Sequence, residues 1–129
     1  MKRGFIIILI FALLIGLCVL EETYLKSNLE LLDRKSNELL TLVNISENVN
    51  TEEIELKVNE LKEFWGKTEA LFCLVVNHIN MEEAGEQISK IDSLYKQNKK
   101  DELIVEVNLL IYFAESYQHI IVPHIQNIL

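Results

Sequence analysis

A chain of 129 residues with a formal charge of −8 has room for one core, and its acidic balance opposes phosphate backbones and anionic lipid headgroups. Nucleic-acid binding is therefore not expected. Four glycines and one proline leave little material for tight β-turns, whereas abundant Leu, Ile, Glu, Lys and Asn suit helices joined by short polar loops.

The first element is apolar without interruption. Residues 4–20 read GFIIILIFALLIGLCVL, preceded by Met1-Lys2-Arg3 and ended by Glu21 and Glu22. At 1.5 Å per residue this run makes roughly 26 Å of helix, enough for a bilayer core. The cationic start predicts a cytoplasmic N-terminus and an extracytoplasmic remainder. A signal peptidase would need small residues before its cut, and Gly16 with Cys18 is the best pair available. A lipoprotein cut before Cys18 meets Leu17 in the place of a small residue. The reading is an uncleaved signal-anchor over residues 1–21 and an acidic extracytoplasmic domain over residues 22–129. From Glu21 onward the chain holds 10 basic and 20 acidic residues, a net of −10.

Apolar spacing continues beyond the anchor. Leu25, Leu29, Leu32, Leu39 and Val43 recur at intervals of four and three, with Ser36 filling one slot. This predicts an amphipathic helix over about 22–45, open to continuity with the membrane helix. Residues 44–50 are a polar break, within which Asn44-Ile45-Ser46 matches an N-glycosylation triplet at chance frequency. Asn50 before Thr51-Glu52-Glu53 predicts a capping box. Ile54, Val58, Leu61, Trp65, Thr68, Phe72, Val75 and Ile79 then keep strict four–three spacing, widened by Phe64 and Leu71, as in a bundle helix packed on two neighbours. Gly66 falls on the far side.

Asn80 followed by Met81, Glu82 and Glu83 repeats the capping pattern and predicts a new helix or a kinked continuation. Its apolar face is Met81, Ala84, Ile88, Ile91 and Leu94 or Tyr95. Residues 97–100 form a loop, and Asp101 is the expected cap of a last helix. That helix carries Leu103, Val107, Leu110, Ala114, Tyr117, Ile121 and Ile128, broadened by Ile104, Ile111 and Phe113. Pro123 is expected to kink or end it near Val122. The fold class is all-α: an N-terminal transmembrane helix followed by an antiparallel bundle of three to four helices. The same seams would also serve self-association.

Catalytic motifs do not emerge. His78 and Glu82 are four apart and make half of a metal site, which would need His124 or a glutamate from another helix to complete it. The HExxH pattern and the paired ExxH motifs of di-iron bundles are missing. His119 and His124 diverge on one helix, as do Cys73 and His78. Cys73 reads as a small core filler, with an intermolecular disulfide as the sharper alternative. The acidic runs at 52–55 and 82–86 begin predicted helices, where negative charge suits the dipole. Trp65 and Phe64 are expected in the core rather than in a ligand pocket. No catalytic, cofactor or metal residue is assigned.

One pattern extends over nearly the whole chain. A short anchor (4–20) precedes a helix with a central Trp65, closed by Val76-Asn77-His78-Ile79. An acidic-apolar run from Met81 to Ile91 follows, and the chain closes in Gln126-Asn127-Ile128-Leu129. This resembles a family of short, N-terminally membrane-anchored helical proteins of unknown function from clostridia and related spore-forming Gram-positive bacteria. The resemblance implies a bacterial envelope protein, supplies no catalytic residue, and implies a multi-pass membrane protein as partner. Pro123 and His124 depart from it, standing where an acidic residue is expected.

The expected function is a non-enzymatic, membrane-anchored interaction module that binds another envelope protein or itself through its apolar stripes. The alternatives are an extracytoplasmic ligand-sensing bundle and a small metal-binding bundle built on His78, Glu82 and His124.

Overall fold

A computed structural model of the protein describes residues 2–72 and 78–128, with side-chain environments for all of these but 21–22, 71–80 and 119–128. Four helices account for nearly all of it: α1 (Lys2–Ile45), α2 (Glu52–Phe72), α3 (His78–Lys96) and α4 (Lys100–Ile128). No strand occurs among the described residues.

The anchor and the first amphipathic segment are one helix of 44 residues, about 66 Å long at 1.5 Å per residue. No proline and no unpaired backbone break divides them, because the residues after Leu20 are competent helix formers. Thr23 returns its hydroxyl to the carbonyl of Val19 at 2.8 Å, within the same turn pattern. Up to Leu20 the helix is exposed on every side; from Leu25 onward one face is buried.

That buried face is the predicted one. Leu25, Leu29, Leu32, Ser36, Leu39 and Val43 are all inaccessible, and they meet Ile54, Val58, Leu61 and Trp65 of α2 in one core. Met81, Ala84, Ile88, Ile91 and Tyr95 of α3 join them, with Leu103, Val107, Leu110 and Ala114 of α4. Tyr95, not Leu94, takes the deeper position. Burial first, then Glu55 and Asp92, raise its hydroxyl pKa above the ordinary tyrosine value. Each helix packs on two others: α1 on α2 and α4, and α3 on α2 and α4. Among the described residues the stripes of α1 to α3 are thus buried within the chain.

Several helix ends differ from the sequence reading. Thr51, not Asn50, caps α2: Ile54 donates its backbone N–H to Thr51 Oγ1 at 3.4 Å, and Glu55 N–H bonds the Thr51 carbonyl at 2.9 Å. The residue three beyond Thr51 is Ile54, so no reciprocal box forms. The unbroken period from Ile54 to Ile79 is divided between α2 and α3, and Asn80 lies inside α3 instead of before it. Cys73 and Val75 fall outside the described residues. Lys99 replaces Asp101 as the first residue of the α4 ladder, its carbonyl accepting from Leu103 N–H at 3.0 Å. Asp101 and Glu102 sit in the first turn, where they complement the dipole. Pro123 does not end α4, which continues to Ile128; its missing N–H removes only one rung of a long helix.

Asn98 explains the displacement at the α3–α4 turn. It adopts φ 55°, the left-handed conformation that ends a helix. Lys99 N–H bonds the Leu94 carbonyl at 3.1 Å and Asn98 N–H bonds that of Tyr95 at 3.2 Å, a Schellman closure. The Asn98 side chain then reaches the other loop. Its Oδ1 accepts from Val49 N–H at 2.7 Å, and its Nδ2 donates to Asn48 Oδ1 at 3.3 Å. Next to it Lys100 donates Nζ to the carbonyls of Ser46 (2.8 Å) and Asn44 (3.4 Å), supplying the cation that the last turn of α1 lacks.

Asn98→Gly keeps the backbone conformation at no steric penalty but loses the bond to Val49, and should cost about 1 kcal/mol. Asn98→Ala loses that bond and also strains the turn, for about 2 kcal/mol in all. Chemical denaturation of the two variants checks the order. An alanine variant as stable as the glycine one would show that the turn relaxes out of the left-handed region.

Ser36 is the one polar side chain of the α1 stripe that is wholly inaccessible, and its hydroxyl has no hydrogen-bond partner. A buried hydroxyl without a partner is destabilising, and serine is also the poorer helix former. Ser36→Ala should stabilise the bundle by about 1 kcal/mol, read as a higher denaturation midpoint at unchanged slope.

Candidate functional site: an open face on α3 and α4

Among the described residues two surfaces are apolar and uncovered. The first is the helix over residues 4–20, where every large side chain from Phe5 to Leu20 is exposed. None of its membrane-length window is buried against the rest of the chain, as it would be in the core helix of a soluble protein. The chain therefore has one N-terminal helix long and apolar enough to cross a membrane.

The second surface lies on α4. Its core residues Leu103, Val107, Leu110 and Ala114 face inward. Two residues further on, a rotation of about 200°, stand Val105, Leu109, Tyr112 and Ser116. Their spacing is again four and three, yet Val105 is 56%, Leu109 43% and Tyr112 71% exposed. A tyrosine, a leucine and a valine in register on the outside of a closed core make a second seam with no partner among the described residues.

Two grooves flank that seam on the α3 side. The one nearer the α3–α4 turn is lined by Ser93 and Leu94 of α3 and Glu102, Val105 and Glu106 of α4. The other is lined by Glu83 and Gln87 of α3 and Leu109, Tyr112, Phe113 and Tyr117 of α4. Phe113 forms its floor, packed edge-on to Trp65 (centroids 6.3 Å apart) and tilted against Tyr117 (4.9 Å). Each groove holds one buried acceptor without a hydrogen-bond partner among the described residues: Glu106 Oε2 in the first and Gln87 Oε1 in the second. The seam and grooves together form a face of apolar ridges.

The face is acidic. Residues 101–118 contain Asp101, Glu102, Glu106 and Glu115 and no lysine or arginine. Lys100, the nearest cation on α4, is turned to the end of α1. Lys90 is the single cation lining either groove. Other charges are matched elsewhere, between helices: Lys57 with Glu38 at 3.3 Å and Lys62 with Asp92 at 3.4 Å.

The remaining candidates hold less. Trp65, 6% exposed, is core, and its edge borders a shallow groove of about 640 Å³ between α2 and α3. A Cβ at Gly85 would come 3.5 Å from the indole Nε1, an ordinary contact, so the groove is shaped by packing and not by a glycine-dependent approach. Phe64 is half-buried, with the Lys35 ammonium 6.0 Å from its ring centroid. No group of three His, Cys, Asp or Glu side chains converges among the described residues. His78 and Glu82 share the start of α3, and His119 and His124 lie on α4, but the histidine side chains fall outside the described set. Cys18 is exposed in the apolar helix.

The seam on α4 was overlooked in the sequence because Ile104, Ile111 and Phe113 bridge it to the core stripe, so that the whole helix reads as one broad apolar face. Separating positions 105, 109, 112 and 116 from 103, 107, 110 and 114 would have shown two seams on opposite sides.

Comparison of the chain with family models, curated proteins and solved structures finds no match.

Proposed function

We propose that the protein is a non-enzymatic, membrane-anchored interaction module of a bacterial envelope. Its N-terminal helix crosses the membrane with Lys2 and Arg3 on the cytoplasmic side, and residues 22–129 stand outside as an antiparallel four-helix bundle. The bond from Val49 to Asn98 and the reach of Lys100 to Ser46 favour that bundle, since they tie the α1–α2 and α3–α4 loops together at one end. The uncovered seam of Val105, Leu109 and Tyr112 carries the interaction reading. A bundle with a closed core gains nothing for its own stability by exposing this seam, and a contacting protein would bury it.

The test is photo-crosslinking in native membranes, with a photoreactive phenylalanine analogue at Tyr112 and, as control, at Leu56. Leu56 is also exposed (60%) but stands on α2, where no second apolar seam accompanies it. A discrete adduct from Tyr112 and none from Leu56 is the expected result. Adducts from neither position, or from both alike, would remove the interaction reading.

A further inference from the structure

The chemistry of the α3–α4 face specifies its occupant. Its ridge is apolar and at heptad spacing, the complement of another helix laid along a groove. Its flanks are acidic: Asp101 and Glu115 on one side of the seam, Glu102 in line with it, Glu106 and Glu83 toward α3. Glu106, half-buried, lines the first groove beside Glu102. We infer that this face docks an amphipathic helix of another protein, whose apolar ridge is flanked by lysine or arginine. The inference rests on the interaction reading above and adds the partner's chemistry to it.

A second copy of this chain fits poorly. In a two-fold contact the same patch meets itself, so Glu102, Glu106 and Glu115 would face their own equivalents. Two chains anchored in one bilayer would hold those seams side by side in the same direction, with Lys90 the single cation lining either groove against the four carboxylates of residues 101–118. A basic-flanked helix removes the conflict. Its cations meet the acidic flanks, one of them reaches Glu106, and its ridge covers Leu109 and Tyr112.

The experiment uses the full chain in nanodiscs of phosphatidylcholine, an uncharged bilayer that does not itself attract cationic peptides. Three fluorescent synthetic helices are titrated and followed by anisotropy. One has a leucine ridge with lysine flanks, one the same ridge with glutamate flanks, and one lysine flanks with serine in the ridge. The lysine-flanked leucine helix is expected to bind at least about tenfold more tightly than either other, and to weaken severalfold on raising salt. The double variant Leu109→Ser, Tyr112→Ser should abolish its binding. Glu106→Gln should weaken it about threefold to tenfold and flatten its salt dependence. Leu56→Ser should leave it unchanged. Circular dichroism of each variant confirms that the bundle stays folded.

Equal binding of the glutamate-flanked helix, or binding indifferent to Leu109 and Tyr112, would overturn the inference. So would a dimer of the chain, seen by sedimentation, that Leu109→Ser dissolves, although the interaction reading would then survive with a second copy as occupant. If no helix binds and Tyr112 forms no adduct in native membranes, both readings fall.

Discussion

Leu61→Asp should abolish the cooperative unfolding transition of the domain, and Leu61→Ala should lower its stability by about 2–5 kcal/mol. Leu61 is 1% exposed at the middle of α2, in the same core as the residues of α1, α3 and α4. Truncation to alanine loses the transfer free energy of the side chain and leaves a cavity between helices that cannot close fully. Aspartate adds the desolvation of a carboxylate with no cation in the core to receive it, a further several kcal/mol. A domain of this size is stable by about 5–15 kcal/mol, so the alanine variant stays folded and the aspartate variant does not. Far-ultraviolet circular dichroism during heating, on the chain in nanodiscs, reads both; the apolar N-terminal helix is retained in each, and the lost signal belongs to the bundle. Leu56→Asp, one turn and a half earlier but on the exposed side, is the matched control and should shift stability by about 0.5 kcal/mol or less. A cooperative melt for Leu61→Asp, at the temperature of the parent, would mean that α2 does not pack as described.

Most of the core was legible in the sequence, because heptad spacing is a direct statement of which side chains share a face; Val49, wholly buried, stands in the expected polar break. Leu25 to Val43 on α1 and Leu103 to Ala114 on α4 needed nothing beyond their intervals. Helix ends were less legible. Asn50 and Thr51 are adjacent and both able to cap; only the backbone path selects Thr51. Asp101 looked like a cap from its type, but Asn98 had already taken the left-handed position and moved the start of α4 forward. The boundary between α2 and α3 is hidden because residues on either side of it happen to keep the period of a single helix. For the candidate face the obstacle was different. An apolar seam is visible in a sequence, but whether it is covered depends on how many neighbours the fold supplies. α4 has two, α1 and α3, and both meet it on the side away from Val105, Leu109 and Tyr112.

The apolar N-terminal helix yields the second large effect. Residues 4–20 include thirteen Leu, Ile, Phe and Val side chains. At about −0.3 to −0.6 kcal/mol each on an insertion scale, their sum favours the bilayer by about 4–8 kcal/mol. An arginine near the middle of the segment costs about 2.5–3.5 kcal/mol. Leu13→Arg alone therefore leaves insertion near balance or still favoured. Ile10→Arg with Leu13→Arg adds about 5–7 kcal/mol and removes two favourable residues, which carries the sum to zero or beyond. Carbonate extraction of cell membranes should find the parent chain in the pellet, the single variant partly there and the double variant in the supernatant or degraded. The rest of the chain, with a net charge of −10 from Glu21 onward, is repelled by anionic headgroups. The result also separates anchoring from folding. α1 continues from the apolar segment into the core, yet no side chain of residues 4–20 is buried, so the double variant should keep the melt of its parent. A double variant that stays in the pellet after carbonate would place the anchor elsewhere in the chain, and one that loses the bundle melt would show that the membrane half of α1 supports the half that packs.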